Sequence, residues 1–466
     1  MHRFASWSIS SVLALFFAGI AQAGPAHPSN PTRPTGDGEA EELFLRAARV
    51  IVRPGEVLEN ASVLVQAGRI VAVGTDLEKP EGAREVQGEV VCAAFFDPWS
   101  SLGLSSTAHA DAGTAAGTRS LDAVDLFESE QARAEALHAG VTATRSQAGA
   151  QSAIGGVGVV LRLAPELGEG AVVLEDANVG ASVGLTKGGN VMDIFDRVEQ
   201  LDKLVRELEA GRKYSEDRVE YRYELEEWQK AIAEKEEELE KDFKKAKKDR
   251  EKDKEKAAEK GKEFKEKRYK EDKKPKKPSF DADKEAMARV VEGELSLVVH
   301  ANRAGELRNL LELTEDFDRM RLVIAGGTEA MHVAEELAER DIPVIVWPAP
   351  LGTNAGDEHA GHDLSLAAQL EGAGVEVLIG GGGRWDSTRD LPLLASLAVG
   401  HGLSRESAFA ALTERAARVF DVGDRLGVVE AGADAELLVL DGEPLVSTTR
   451  VQYVVSAGRL VVTPER

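Results

Sequence analysis

The sequence predicts an α/β fold: a (β/α)8, TIM-like barrel, a small β-sandwich formed by the N- and C-terminal segments, and a charged helical insert. Three observations predict it. Short alternating apolar runs with glycine turns occupy both ends of the chain. Continuous apolar runs alternate with helical segments through the middle. Residues 205–284 interrupt that alternation with dense charge. The chain has 466 residues, 43% apolar and 30% charged, which suffices for a large core and excludes a wholly disordered chain. Its 81 acidic and 57 basic residues give a net charge of −24, which repels phosphate backbones and argues against a nucleic-acid partner. A single cysteine, Cys92, excludes an internal disulfide and a cysteine-built zinc site.

Taken in order, residues 1–23 read as a signal peptide. Arg3 supplies a positive start, Ile9 to Ile20 a short apolar run, and Ala21-Gln22-Ala23 a small-x-small cleavage pattern. Export to a periplasm or the outside is expected. Residues 24–40, rich in Pro, Gly, Ser and Asn, read as a flexible leader. No later stretch reaches about 18 uninterrupted apolar residues, so no membrane span is expected after signal cleavage.

Residues 41–92 and 424–466 are expected to form the β-sandwich. VLVQAGRIVAVG (Val63 to Gly74) reads as two strands joined at Ala67-Gly68, and AELLVLDG and VQYVVSAGRLVV repeat the pattern near the other end. Residues 93–423 are expected to form the barrel. EVVCAAFFDP, VTATRS, GVVLRL, LSLVVHA, RLVIAGG, IPVIVWP and VEVLIGG look buried on both faces, as parallel strands are.

Within the insert, residues 211–280 hold 25 basic and 21 acidic residues, so the remainder of the chain carries −28. Tyr221, Leu225, Trp228, Ile232, Leu239 and Phe243 fall on one helical face. That face predicts either a helical hairpin lying against the barrel or an arm that takes a protein partner through residues 211–280.

Three segments together resemble the amidohydrolase superfamily, closest to its imidazolonepropionase-like members. NASVLVQAGRIVAVG is similar to the family's N-terminal sheet signature. LGVVEAGADAELLVLDGEP, with Gly427, Gly432 and Asp434, is similar to its C-terminal return. AFFDPWSSLGL (Ala94 to Leu104) resembles its first barrel strand. The resemblance implies a divalent metal such as zinc at the C-terminal mouth of the barrel, and hydrolysis of non-peptide C–N bonds in cyclic or linear amides. Such a metal lowers the pKa of a bound water and polarises the scissile carbonyl.

The residues that should hold the metal depart from that pattern. The family's H-x-H pair falls on Trp99 and Ser101, while Asp97 matches. Indole offers no lone pair and a neutral hydroxyl is a weak zinc donor. His300 matches the family's metal-binding His. The next His position falls on Gly326 or Gly327, and the last Asp near Gly382, with Asp386 four residues later. His359 and His362, in AGDEHAGHDL on an expected mouth loop, form a His-x-x-His that could join His300. The expected catalytic candidates are therefore His300, Asp97 and Asp386, and the expected metal ligands His300, His359 and His362. Trp99, Ser101, Arg384 and Trp385 are the expected pocket residues for a small amide-like ligand. The leading expectation is a degenerate, ligand-binding or scaffold protein without a cofactor. The competing one is an active hydrolase that takes a divalent metal at a rebuilt site. Ser182 lies in a G-x-S-x-G match, GASVG, outside the strand–turn–helix setting that motif requires.

Overall fold

The computed structural model describes residues 42–105, 109–110, 115–150, 153–164, 170–184, 194–258, 273–349 and 362–464. Residues 1–23 and 24–40, expected to be a signal peptide and a leader, lie outside the described residues, as do His359 and 259–272 of the insert.

The chain opens with β1 (Leu43–Arg53), β2 (Glu56–Gln66), β3 (Arg69–Gly74) and β4 (Arg84–Ala93), and ends with β15 (Leu437–Leu440), β16 (Val451–Ser456) and β17 (Arg459–Val462). The two ends merge into one seven-stranded mixed sheet, ordered β17-β16-β15-β4-β1-β2-β3. β1 pairs in parallel with β4, and the other neighbours are antiparallel. Residues just before β15 bridge back to β3, through Ile70 N–H to Ala433 O at 2.9 Å and Ala435 N–H to Gly68 O at 2.9 Å. The Ala67-Gly68 turn carries φ of 49° and 83°, left-handed values that a tight hairpin requires.

Alternation along the central strands gives this sheet two buried faces. Val91 of β4 and Leu437 and Val439 of β15 pack into the sheet's own core. Val90, Cys92, Leu438 and Leu440 pack against the barrel. The junction is also polar. Arg162 reaches Glu436 at 2.8 Å and pairs with Asp434, which Arg425 contacts at 2.8 Å. Asp434 of the family-like motif thus clamps one domain to the other.

The barrel comprises β5 (Phe95–Ser100), β7 (Val141–Ser146), β9 (Ile154–Arg162), β10 (Val172–Ser182), β11 (Ser296–Ala301), β12 (Arg321–Gly326), β13 (Val344–Val346) and β14 (Val377–Ile379). A short pair, β6 (His109–Ala110) with β8 (Gly149–Ala150), stands beside it. The (β/α)8 expectation needs one correction: β9 runs antiparallel to both neighbours. The cause is chain length. Residues 147–153 and 163–171 suffice for hairpin connections, whereas a parallel crossover takes a dozen residues or more, usually a helix. Elsewhere helices separate the strands. They are α1 (Glu130–His138), α2 (Ile194–Ala258), α3 (Ala282–Val291), α4 (Ala304–Thr314), α5 (Ala334–Glu339) and α6 (Leu366–Gly372). After β14 come α7 (Leu391–Gly400), α8 (Arg405–Leu412) and α9 (Glu414–Val419). Phe96, Val298, Val323, Ile345 and Leu378 point inward, and Phe420 plugs the lower end edge-on to Phe96 at 6.4 Å.

The insert also differs from expectation. The hairpin is instead one 65-residue helix, α2, with a non-helical return limb at 273–281. Leu204 and Leu208 are buried in the barrel's outer core. Gly211 lets α2 approach α3, since a methyl there would stand 2.7 Å from the Met287 side chain. Arg218 pairs with Glu285 at 2.7 Å. Further out, Tyr221, Leu225, Trp228 and Ile232 are half-buried, and the Lys274 ammonium of the return limb lies 5.9 Å from the Trp228 ring. No helix among the described residues is long and apolar enough to cross a membrane.

Candidate functional site at the barrel mouth

The C-terminal strand ends converge on a narrow cleft lined by Trp99, His300, Asn302, Thr328, Trp347 and His362. His300 reaches it because residues 298 and 300 share the inward parity of β11. Its ring lies 5.4 Å from that of Trp99, and its Nε2 is 3.4 Å from Asn302 Nδ2. His362 lines the opposite side, with Nε2 2.7 Å from the carbonyl oxygen of Ala349. The cleft's clear space is about 20 Å³, room for one or two waters.

The glycines after β14 explain how the mouth is filled. Gly380 N–H donates to Val346 O at 3.1 Å, which extends the β13–β14 pairing, and Gly383 N–H donates to Trp99 O at 2.9 Å, which ties the loop after β14 to β5. A methyl on Gly380 would stand 2.7 Å from Trp99 Cβ, and one on Gly382 2.8 Å from the Trp347 ring. Gly382 and Gly383 both have φ of 74°. The run therefore exists so that backbone can lie against two indoles.

Asp97 sits beneath the mouth, fully buried. Its Oδ1 accepts from Gly381 N at 2.9 Å and Trp99 N at 3.0 Å, and its Oδ2 accepts from Thr388 Oγ1 at 2.8 Å. Burial pushes its pKa up to about 6, against these hydrogen bonds and the nearby Arg145 charge. Arg145 is buried too, and desolvation lowers it to about 10. It donates to Pro98 O and Gln147 Oε1, each at 2.7 Å, and its guanidinium lies 5.2 Å from the Phe420 ring. Gln147 in turn accepts from Asn178 Nδ2 at 3.0 Å.

The structure thus brings Trp99, His300 and His362 together and places Asp97 behind them as an anchor for the β14 loop. It corrects the other assignments. Ser101 does not line the cleft. Arg384 and Asp386 form a bidentate pair on the surface at 3.0 and 2.8 Å, which holds the Asp386 carboxyl below its usual range. Asp386 is therefore spent on its neighbour two residues away. Trp385 is 57% exposed. Arg145, Asn302 and Thr328 belong to the site or its support without having been singled out. A charged residue inside the buried run VTATRS was the available signal for Arg145.

The described residues at the mouth do not make up the donor set of a catalytic metal. Among the described residues no three His, Cys, Asp or Glu side chains are grouped to hold one. Gly326 has φ of 97°, and a Cβ there would meet Asn302 Oδ1 at 2.4 Å. A Cβ at Gly381 would meet Asp97 Oδ2 at 2.6 Å. A side chain at either position would require Asn302 or Asp97 to shift.

No protein-family model matches the sequence, and no curated protein matches it. Solved structures match over nearly the whole chain. An amidohydrolase from Thermotoga maritima MSB8 has 23% identity and a TM-score of 0.68, over 91% of this chain and 100% of that one. A prolidase complexed with N-methylphosphonate-L-proline has 16% identity and a TM-score of 0.51, over 91% and 100%. Molinate hydrolase has 14% identity and a TM-score of 0.51, over 91% and 95%. The chain therefore has the amidohydrolase fold.

Proposed function

We propose that this chain is an amidohydrolase-superfamily protein that has lost metal-dependent C–N hydrolysis and keeps its barrel mouth as a binding or scaffold surface. One observation carries the reading. The positions that would hold a metal carry an indole and glycines, and a side chain at Gly326 or Gly382 would press on Asn302 or Trp347. A hydrolytic zinc usually needs three protein ligands. Asn302, Thr328 and the two histidines leave a polar edge that suits an amide-like ligand. Export through residues 1–23 belongs to the same proposal. Hydantoins, lactams and dipeptides offered to the full chain, with and without chelator, test it. The reading expects no turnover in either arm, together with amide-induced thermal stabilisation that Asn302→Ala weakens.

A second reading is favoured by one fact: His300 and His362 line the same cleft. With His359 they would form a rebuilt metal site. Chelator-sensitive turnover abolished by His359→Ala would establish it and displace the first reading.

A further inference from the structure

The opposite end of the barrel holds a larger cavity, about 540 Å³, where β11, β12, β13 and β14 begin. That volume lies in the range of small-molecule sites. Phe317, Met320 and Ile342 supply apolar wall. Three of its arginines are engaged. Arg321 grips Asp421 through two bonds of 2.7 Å, Arg418 pairs with Glu376, and Arg340 donates to Leu311 O at 2.8 Å. Glu315, Asp318 and Asp341 also line the cavity and make no ion pair among the described residues. Of the cations only Arg319 is similarly unpaired. The uncommitted charge is thus three carboxylates against one guanidinium.

A second, independent feature points to a ligand. Ser296, the first residue of β11, lines the same cavity and is 1% exposed, yet its Oγ has no hydrogen-bond partner. It shares parity with Val298, which faces the barrel axis, so its hydroxyl points into the barrel's lower end. A buried hydroxyl left unbonded costs free energy that a ligand N–H would recover.

We infer that this lower cavity is a binding site for an organic amine with two or more ammonium groups and an alkyl body. The ammonium groups meet Asp318, Asp341 and Glu315, the alkyl chain lies on Phe317 and Met320, and Ser296 Oγ accepts an N–H. The inference is independent of the mouth, because no lining residue is shared.

Spermidine and 1,5-diaminopentane, titrated calorimetrically into the full chain, are the test. A chain of net charge −24 attracts any polycation, so a pair of remote acids, Glu59→Gln with Glu89→Gln, is the control. Saturable 1:1 binding that weakens about tenfold in Asp318→Asn with Asp341→Asn, and in Ser296→Ala, but not in the control pair, is expected. No saturable binding, or equal weakening in the control pair, would overturn the inference. Thermal melts show which variants fold, and Asp318→Asn alone, an exposed change, keeps the test open if the others do not.

Discussion

Single residues decide whether the mouth can do metal chemistry, and Asp97 shows how. The sequence singles it out by resemblance alone, whereas its role follows from burial, which no motif reports. Because its folded pKa stands at about 6, above the usual carboxylate value, the fold binds more protons than the unfolded chain between about pH 4 and pH 6. Its contribution is therefore most favourable below that window and falls as pH rises through it, by on the order of 3 kcal/mol. Urea unfolding across pH should show this decline, and Asp97→Asn, which can still accept both backbone N–H groups, should flatten it. An unchanged slope would contradict the assignment. At Gly326, alanine should cost about 2 kcal/mol or more, through the φ of 97° and the approach to Asn302, read as a lower urea midpoint. A midpoint within error of the parent would show that the strand end has room for a ligand after all.

At the scale of elements, the sequence was most legible where periodicity is strict. β2 and β3, joined at Ala67-Gly68, and the strands near the C-terminus follow directly from alternation. Two elements were hidden. GVVLRL reads as a parallel strand because it is buried on both faces, and only its short connections reveal that β9 runs the other way. The insert's apolar stripe was visible, but α2 passes through it unbroken, because sequence cannot say where a charged helix turns. The packing of α2 separates its parts. Leu208→Ala should cost 2–5 kcal/mol, since that side chain is fully buried. Replacing residues 222–272 by a short flexible linker should leave the melting temperature within a few degrees, because none of residues 222–235 is buried. A large loss on truncation would mean that the outer helix supports the barrel. At the domain junction, Asp434→Ala should cost about 3–5 kcal/mol by leaving the buried Arg162 and Arg425 short of a partner. A cost near zero in denaturant titration would remove the clamp.

For the whole molecule, fold and chemistry separate. The cylinder and its companion sheet are those of solved amidohydrolases, while the mouth is packed with Trp99 and Trp347 against backbone glycines. The departures from the resemblance's ligand pattern, at Trp99, Ser101 and the glycines, were readable position by position. The filling of the mouth was not, because it depends on how the glycines after β14 let the backbone approach Trp99 and Trp347. Elemental analysis of the full chain, purified from zinc- and manganese-supplemented medium, tests the central claim most directly. The account predicts far less than one bound metal per chain, unchanged by His300→Ala. One equivalent that disappears in His300→Ala would contradict it.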